Sequence, residues 1–297
     1  MKTIVMTGGT SGLGAHALKQ MAREPGTRVL LGARTKGPVG VETLPLDLAR
    51  LDSVRSFASA LEAAEIHALV LNAGLSLHEG SNRTPDGFET TFAVNHLSHY
   101  LLLRLLLPRM ARNGIVTFTG SATHDPAAKT IIPAPRHADA QLLAYPDRDP
   151  ERDDQSRTAG GRAYSSSKLC AVLTARALAT QPEAHAAALT VVAYDPGPTP
   201  GTGLLRDAPA PVRAMWRILG TPMRAVVPRF NSVAAAGAAL ADIATGSTVP
   251  PPGEYHARLV RGRLTWLPPS ELARSDDAME ALWHDSAQLV GLPAISR

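Results

Sequence analysis

Tyr164 and Lys168 stand four residues apart in the run Tyr164-Ser165-Ser166-Ser167-Lys168. On a helix this spacing puts both side chains on one face, a turn apart, so an ammonium can lie close to a phenol. A free phenol, with a pKa of about 10, exchanges protons poorly at neutral pH. A neighbouring cation favours the phenolate and brings the group toward the range of general acid–base catalysis. Taken alone the pair is weak, because polar and charged residues commonly just face solvent. Its meaning depends on what the rest of the chain places around it.

Short apolar runs alternate with helical patterns, which predicts βα units and a parallel sheet. The expected strands are 3–7, 28–32, 68–72, 114–119 and 190–194, with a later strand near 254–260 closing one edge. The expected helices are 13–23, 53–64, 89–111, 163–179, 232–244 and 276–290. Two stretches break the rhythm. Residues 122–162 are rich in Pro, Asp and Arg, and residues 198–230 carry many Pro and Gly. Loops this long are usually functional or disordered. They read as a substrate-side insertion and a lid-like loop within one domain spanning 1–297. The fold class is α/β, a single doubly wound parallel sheet of Rossmann type with helices on both faces and long substrate-side loops.

The first strand runs into Gly8-Gly9-Thr10-Ser11-Gly12-Leu13-Gly14 and then a helix. Glycines there let the backbone approach a pyrophosphate, and the helix N-terminus offers N–H donors and the positive end of its dipole. The strand–turn–helix context is the one a dinucleotide site requires. The next strand ends in Gly32-Ala33-Arg34, with an arginine and no acid. A carboxylate there would hold a ribose 2′-hydroxyl, whereas a guanidinium pairs with a 2′-phosphate, so NADP(H) is favoured over NAD(H). Asp47, followed by Leu48, reads equally as an adenine contact or as a turn aspartate. Asn72-Ala73-Gly74 ends another strand in a tight turn that leaves room for the adenine-side ribose; such residues also simply stop strands.

Bulk composition excludes several classes. The 297 residues are 44% apolar and 19% charged, with a net charge of +4, as in a soluble globular protein with a large core. No Lys/Arg run or basic–aromatic interleaving points to nucleic acid. The single cysteine, Cys170, excludes an internal disulfide and a cysteine-based metal cluster. The most apolar run, 101–107, is interrupted by Arg104 and too short to span a bilayer. The histidines are scattered and imply no metal site. Without a secretory signal, the expected location is cytoplasmic.

Thr7-Gly8-x-x-x-Gly12-x-Gly14, Asn72-Ala73-Gly74, Asn95, Ser121 and Tyr164-x-x-x-Lys168 occur in this order, and with them the chain resembles the short-chain dehydrogenase/reductase family over nearly its whole length. The resemblance implies that Tyr164 is the general acid or base. It also implies that Lys168 lowers the Tyr164 pKa and holds the nicotinamide ribose, that Ser121 hydrogen-bonds the substrate oxygen, and that Asn95 anchors a water in a proton relay. Pro196, Gly197, Thr199 and Thr202 would face the nicotinamide; Pro198 and Pro200 have no N–H to offer. Asp86-Gly87-Phe88-Glu89, Val94-Asn95-His96-Leu97-Ser98-His99-Tyr100 and Ser167-Lys168-Leu169-Cys170 look like the retinol-dehydrogenase and light-dependent protochlorophyllide-reductase branch. In the latter group a cysteine after the lysine belongs to discussions of the pigment site, although a free cysteine is more commonly a buried core residue. The leading expectation is an NADP(H)-dependent oxidoreductase acting on a carbonyl or alcohol of a medium-sized, partly apolar small molecule. A C=C double-bond reductase and a non-catalytic NADP(H)-binding regulatory protein are the alternatives, and homo-oligomer formation is left open.

Overall fold

The computed structural model describes residues 1–201 and 230–293. Eight strands form one sheet: β1 (Lys2–Thr7), β2 (Thr27–Ala33), β3 (Glu42–Pro45), β4 (Ile66–Leu71), β5 (Met110–Thr119), β6 (Thr190–Asp195), β7 (His256–Val260) and β8 (Arg263–Trp266). Their order is β3-β2-β1-β4-β5-β6-β7-β8. Every neighbouring pair is parallel except β7–β8. The chain winds outward from β1 to β3 and then returns to place β4 on the other side of β1. The crevice at this reversal, outside the carboxyl ends of the strands, is where doubly wound sheets bind ligands. The turns after β1 and β4 flank it.

Helices cover both faces. On one, Gly12–Met21 and Val233–Thr245 bury Leu18, Met21, Ala236 and Leu240 against Ile4, Met6 and Val192. On the other, Leu51–Ala60, Ser98–Leu106, Ser156–Ala179 and Asp276–Leu289 bury Phe57, Tyr100, Leu101, Leu173 and Leu282. Each of these buried Leu, Ile, Met, Val and Phe side chains contributes about 1.5–3 kcal/mol relative to exposure. No helix among the described residues is long and apolar enough to cross a membrane.

Four expectations need correction. β3 went unanticipated because Glu42–Pro45 is short and half-exposed, with no apolar run. The strand near 254–260 is not an edge, because β8 pairs with it antiparallel through Arg261 and Gly262, both at positive φ. Such a two-residue turn matches the twist of a hairpin. The helix expected over 89–111 ends at Leu106; Pro108 stops it in a single 3-10 turn, and Met110 already begins β5. The helix bearing Tyr164 begins at Ser156, inside the stretch expected to be aperiodic.

The remaining Pro/Asp/Arg-rich stretch is held by caps and ion pairs. Asp139 accepts from Leu142 N–H at 2.9 Å to start the helix Ala140–Ala144. Arg136 lies 3.2 Å from both Asp149 and Asp153, and Arg162 lies 2.6 Å from Asp153. The composition that hides this segment from periodicity therefore supplies its tertiary contacts. Most of the loop expected at 198–230 lies outside the described residues.

Candidate active site

The Gly-rich turn is shaped by contacts that leave no room for side chains. Gly8 has φ +70°, and a Cβ on it would fall 2.6 Å from Ala73 Cα. On Gly14 a Cβ would fall 2.0 Å from Gly8 O. Asn72 secures the turn by donating Nδ2–H to Gly8 O at 2.9 Å, while its Oδ1 accepts from the Thr119 hydroxyl at 3.1 Å. Thr10, Ser11, Gly12 and Leu13 then lead into the first helix, with Gly12 at φ +58°. A backbone cradle this tight at a helix N-terminus fits a dinucleotide pyrophosphate. Arg34 follows the end of β2 and is exposed, with no hydrogen bond or ion pair to a described residue. Asp47 is half-buried; its Oδ1 accepts from Ala49 N–H at 3.1 Å, a turn role, and Leu48 is buried beside it.

Tyr164 and Lys168 are 4% and 5% exposed, so their chemistry proceeds away from bulk water. Lys168 Nζ donates to Thr119 O at 2.8 Å and lies 5.6 Å from the Tyr164 ring centroid. Burial pulls the Lys168 ammonium down to about 8, with Asp195 opposing that shift. Burial raises the Tyr164 phenol above its ordinary value; the Ser121 hydroxyl, directed at it, opposes the rise and Asp195 adds to it. Desolvation, not the lysine, dominates the phenol in this geometry. Ser121 itself is fixed as the residue before a 3-10 turn, where its carbonyl accepts from His124 Nδ1–H at 2.7 Å.

Asn95 sits in a π-helical turn, Ala93–Leu97, an arrangement frequent at functional sites. Its Oδ1 accepts from Leu75 N–H, and its Nδ2 donates to Leu75 O and Ser167 Oγ, all at 2.9 Å. Both amide hydrogens thus tie the Gly74–Leu75 loop to the helix one turn from Tyr164. Gly74 opens a notch between Asn95 and Lys168: a methyl there would lie 3.4 Å from Asn95 Oδ1 and 3.5 Å from Lys168 Nζ.

Sequence reasoning left His99 unassigned, although it lies one helical turn from Asn95. Thr7 Oγ1 accepts from the N–H groups of Asn72 and Ala73, each at 3.0 Å. With both lone pairs used, the hydroxyl must donate to His99 Nε2, 3.0 Å away. The proton of the neutral ring therefore sits on Nδ1 and is donated to Asn95 O at 3.1 Å. Burial supports the neutral form by lowering His99 to about 4. Asp195 and Arg258 were also missed. The signal was a carboxylate ending an apolar strand directly before Pro196-Gly197, at the sheet edge where chemistry is placed. Arg258, on the neighbouring strand β7, pairs with Asp195 at 2.6 Å.

The turn after β6 is clamped from several sides. Gly197 has φ +64°, and a Cβ there would meet Leu259 O at 2.6 Å. Thr199 is buried and shares its hydroxyl between Pro196 O at 3.1 Å and Gly197 O at 3.0 Å. Asn231 donates Nδ2–H to Pro196 O at 2.9 Å and to Leu259 O at 2.7 Å. Thr202 lies outside the described residues. Cys170 is fully buried in the core, and burial drives its thiol well above the ordinary range, so it is not a reactive group.

Residues 2–131 match the family model described as short chain dehydrogenase. Over 98% of its length the chain is 32% identical to dehydrogenase/reductase SDR family member 13 of Bos taurus, covering 74% of that protein. It is 30% identical to retinol dehydrogenase 12 of Homo sapiens over 98% of the chain and 87% of the relative. It is also 29% identical to the chloroplastic protochlorophyllide reductase of Chlamydomonas reinhardtii, over 99% of the chain and 79% of the relative. With the Gly-rich turn at the sheet reversal and Tyr164, Lys168, Ser121 and Asn95 gathered beside it, these likenesses establish that the chain belongs to the short-chain dehydrogenase/reductase family.

Proposed function

We propose that the protein is an NADP(H)-dependent oxidoreductase acting on a carbonyl or alcohol of a medium-sized, partly apolar substrate, with Tyr164 as the general acid or base. The observation that carries this reading is the burial of Tyr164 and Lys168 beside Ser121, next to the nucleotide cradle. The bound nicotinamide supplies the hydride chemistry. Tyr164 Oη passes the proton to or from the substrate oxygen, and Ser121 Oγ donates to the charge that develops there. Lys168, whose ammonium burial lowers to about 8, would hold the ribose and stand on the path by which Tyr164 is resupplied with protons. The notch at Gly74 gives the relay through Asn95 its place. Its test is Gly74→Ala: the added methyl meets only ordinary contacts, so the melting temperature stays unchanged. The expected kcat falls about tenfold or more, because a general acid–base path contributes that much. An unchanged kcat excludes a relay through the notch.

Support for NADP(H) comes from the exposed Arg34 and the absence of an acid at the end of β2. Arg34→Ala is expected to weaken NADPH binding by about 1.5–3 kcal/mol, as for hydrogen bonds to a charged group, and NADH binding little. Titrations of both cofactors check this; equal losses would leave Arg34 touching only the shared adenosine.

The partly apolar character rests on the insertion. Ile131, fully exposed, and Ile132-Pro133 line a groove of about 400 Å³ with Lys129 and Thr158. The Ser165 hydroxyl donates to Pro133 O at 2.6 Å, tying this wall to the residue after Tyr164. NADPH consumption across aldehydes, ketones and conjugated enones, with products identified, tests the reading. Alcohol products support it. Saturated ketones from the enones would favour double-bond reduction, the second reading suggested by the relative named protochlorophyllide reductase. In that case Tyr164 remains the proton donor, because Cys170 is fully buried within the core cluster. NADPH binding without turnover of any compound would point to a regulatory role.

A further inference from the structure

β6 delivers one buried carboxylate to the catalytic face of the sheet. Val192 and Tyr194 pack with the core cluster under Val233–Thr245, and Val191 and Ala193 with the cluster that holds the Ser156–Ala179 helix. Strand alternation therefore turns Asp195 toward that helix. On β7, Ala257 and Leu259 face the first cluster, which turns His256 and Arg258 toward the same side as Asp195. The register places Asp195 directly beside Arg258. Asp195 is 1% exposed; Oδ1 accepts from Gly197 N–H at 2.8 Å and Oδ2 from Arg258 Nε–H at 2.6 Å.

Several ionisable groups surround this pair, and Asp125 acts on His124, not on Tyr164 or Lys168. From the segment after β5 come Ser121, His124 and Asp125; from β7 comes His256; from the Ser98–Leu106 helix comes His99. His124 and His256 touch edge to face, with centroids 5.2 Å apart, and burial holds both below their ordinary pKa. Each directs Nδ1 to a carbonyl, Ser121 O at 2.7 Å and Leu267 O at 2.9 Å, as neutral rings do. Among the described residues, Asp195 is the carboxylate whose charge reaches both Tyr164 and Lys168, and it disfavours the phenolate.

We infer that the Asp195–Arg258 ion pair is a positioning and charge-setting device for the Tyr164–Lys168 couple. Asp195 holds the Pro196-Gly197 turn through the Gly197 amide. Arg258 cancels a buried negative charge that would oppose ionisation of Tyr164. This role rests on the reading of Tyr164 as the acid–base group.

The test uses Asp195→Asn, which keeps an oxygen for Gly197 N–H, Arg258→Gln, and the double variant. Two readouts are taken on the full chain. One is the pH profile of kcat/KM for oxidation of an alcohol found in the substrate panel. The other is an NMR titration of carbon-13-labelled Lys168, which needs no turnover. Removing the cation should raise the apparent pKa of both groups by about one unit, and removing the anion should lower it by a similar amount. The double variant should return close to wild type. A merely structural pair cannot produce shifts of opposite sign. If Arg258→Gln does not fold, Arg258→Lys should hold the wild-type pKa while Asp195→Asn still lowers it. Single variants that shift in the same direction, or not at all, overturn the inference. Opposite shifts in Lys168 with no turnover of any substrate would keep the ion-pair role and instead remove the oxidoreductase reading.

Discussion

Tyr164→Phe should lower kcat by about 10²–10⁴-fold while leaving NADPH binding nearly unchanged. The ring is buried at 4% exposure, and phenylalanine fills the same volume, so the helix and the core around Leu169 and Leu173 have no reason to move. What disappears is one oxygen, the atom placed to exchange a proton with the substrate. Ser121 and Lys168 stay where backbone contacts hold them, through His124 and Thr119 O. The loss should therefore fall on kcat and not on cofactor affinity, and steady-state kinetics with an NADPH binding titration separates the two. A variant with wild-type turnover would remove Tyr164 from the mechanism and with it the proposed function.

The second large effect is expected at Gly14. A methyl group on this residue would sit 2.0 Å from Gly8 O and 2.6 Å from Asn72 Nδ2. Neither neighbour can give way cheaply. Gly8 O is backbone in a tight turn, and Asn72 is held by Gly8 O and by the Thr119 hydroxyl. The first helix must therefore back away from the turn, and the N–H groups meant for the pyrophosphate go with it. Gly14→Ala should cost about 1–3 kcal/mol of stability, as overpacking of a close contact does. It should also weaken NADPH binding by about a hundredfold or more through loss of charge-assisted hydrogen bonds. Thermal denaturation and a cofactor titration measure both. Full affinity in Gly14→Ala would mean that the turn after β1 does not hold the dinucleotide.

Arg34 shows the limit of reading a side chain from its place in a pattern. Its position at the end of β2 was plain in the sequence, and the structure leaves it exposed without a partner among the described residues. Asn95 shows the opposite. On its own it reads as an ordinary helix polar and only the resemblance marks it, whereas the π turn shows that both amide hydrogens are spent on Leu75 and Ser167.

Local order determined much of this protein. Apolar runs of strand length predicted β1, β2, β4, β5 and β6. Glycines between a strand and a helix marked the nucleotide turn, and the four-residue spacing of Tyr164 and Lys168 put them on one helical face. These features depend on interactions within a few residues, which periodicity and backbone chemistry express directly. What only the tertiary structure decided are the pairings between elements far apart in the chain. Asp195 meets Arg258 over 63 positions, His99 meets Thr7 over 92, and Asn95 meets Ser167 over 72. Parallel strands are joined by crossovers that pass through helices and long loops, so a strand's neighbour is chosen by how whole layers pack. No local pattern along the chain records which buried charge will find which partner.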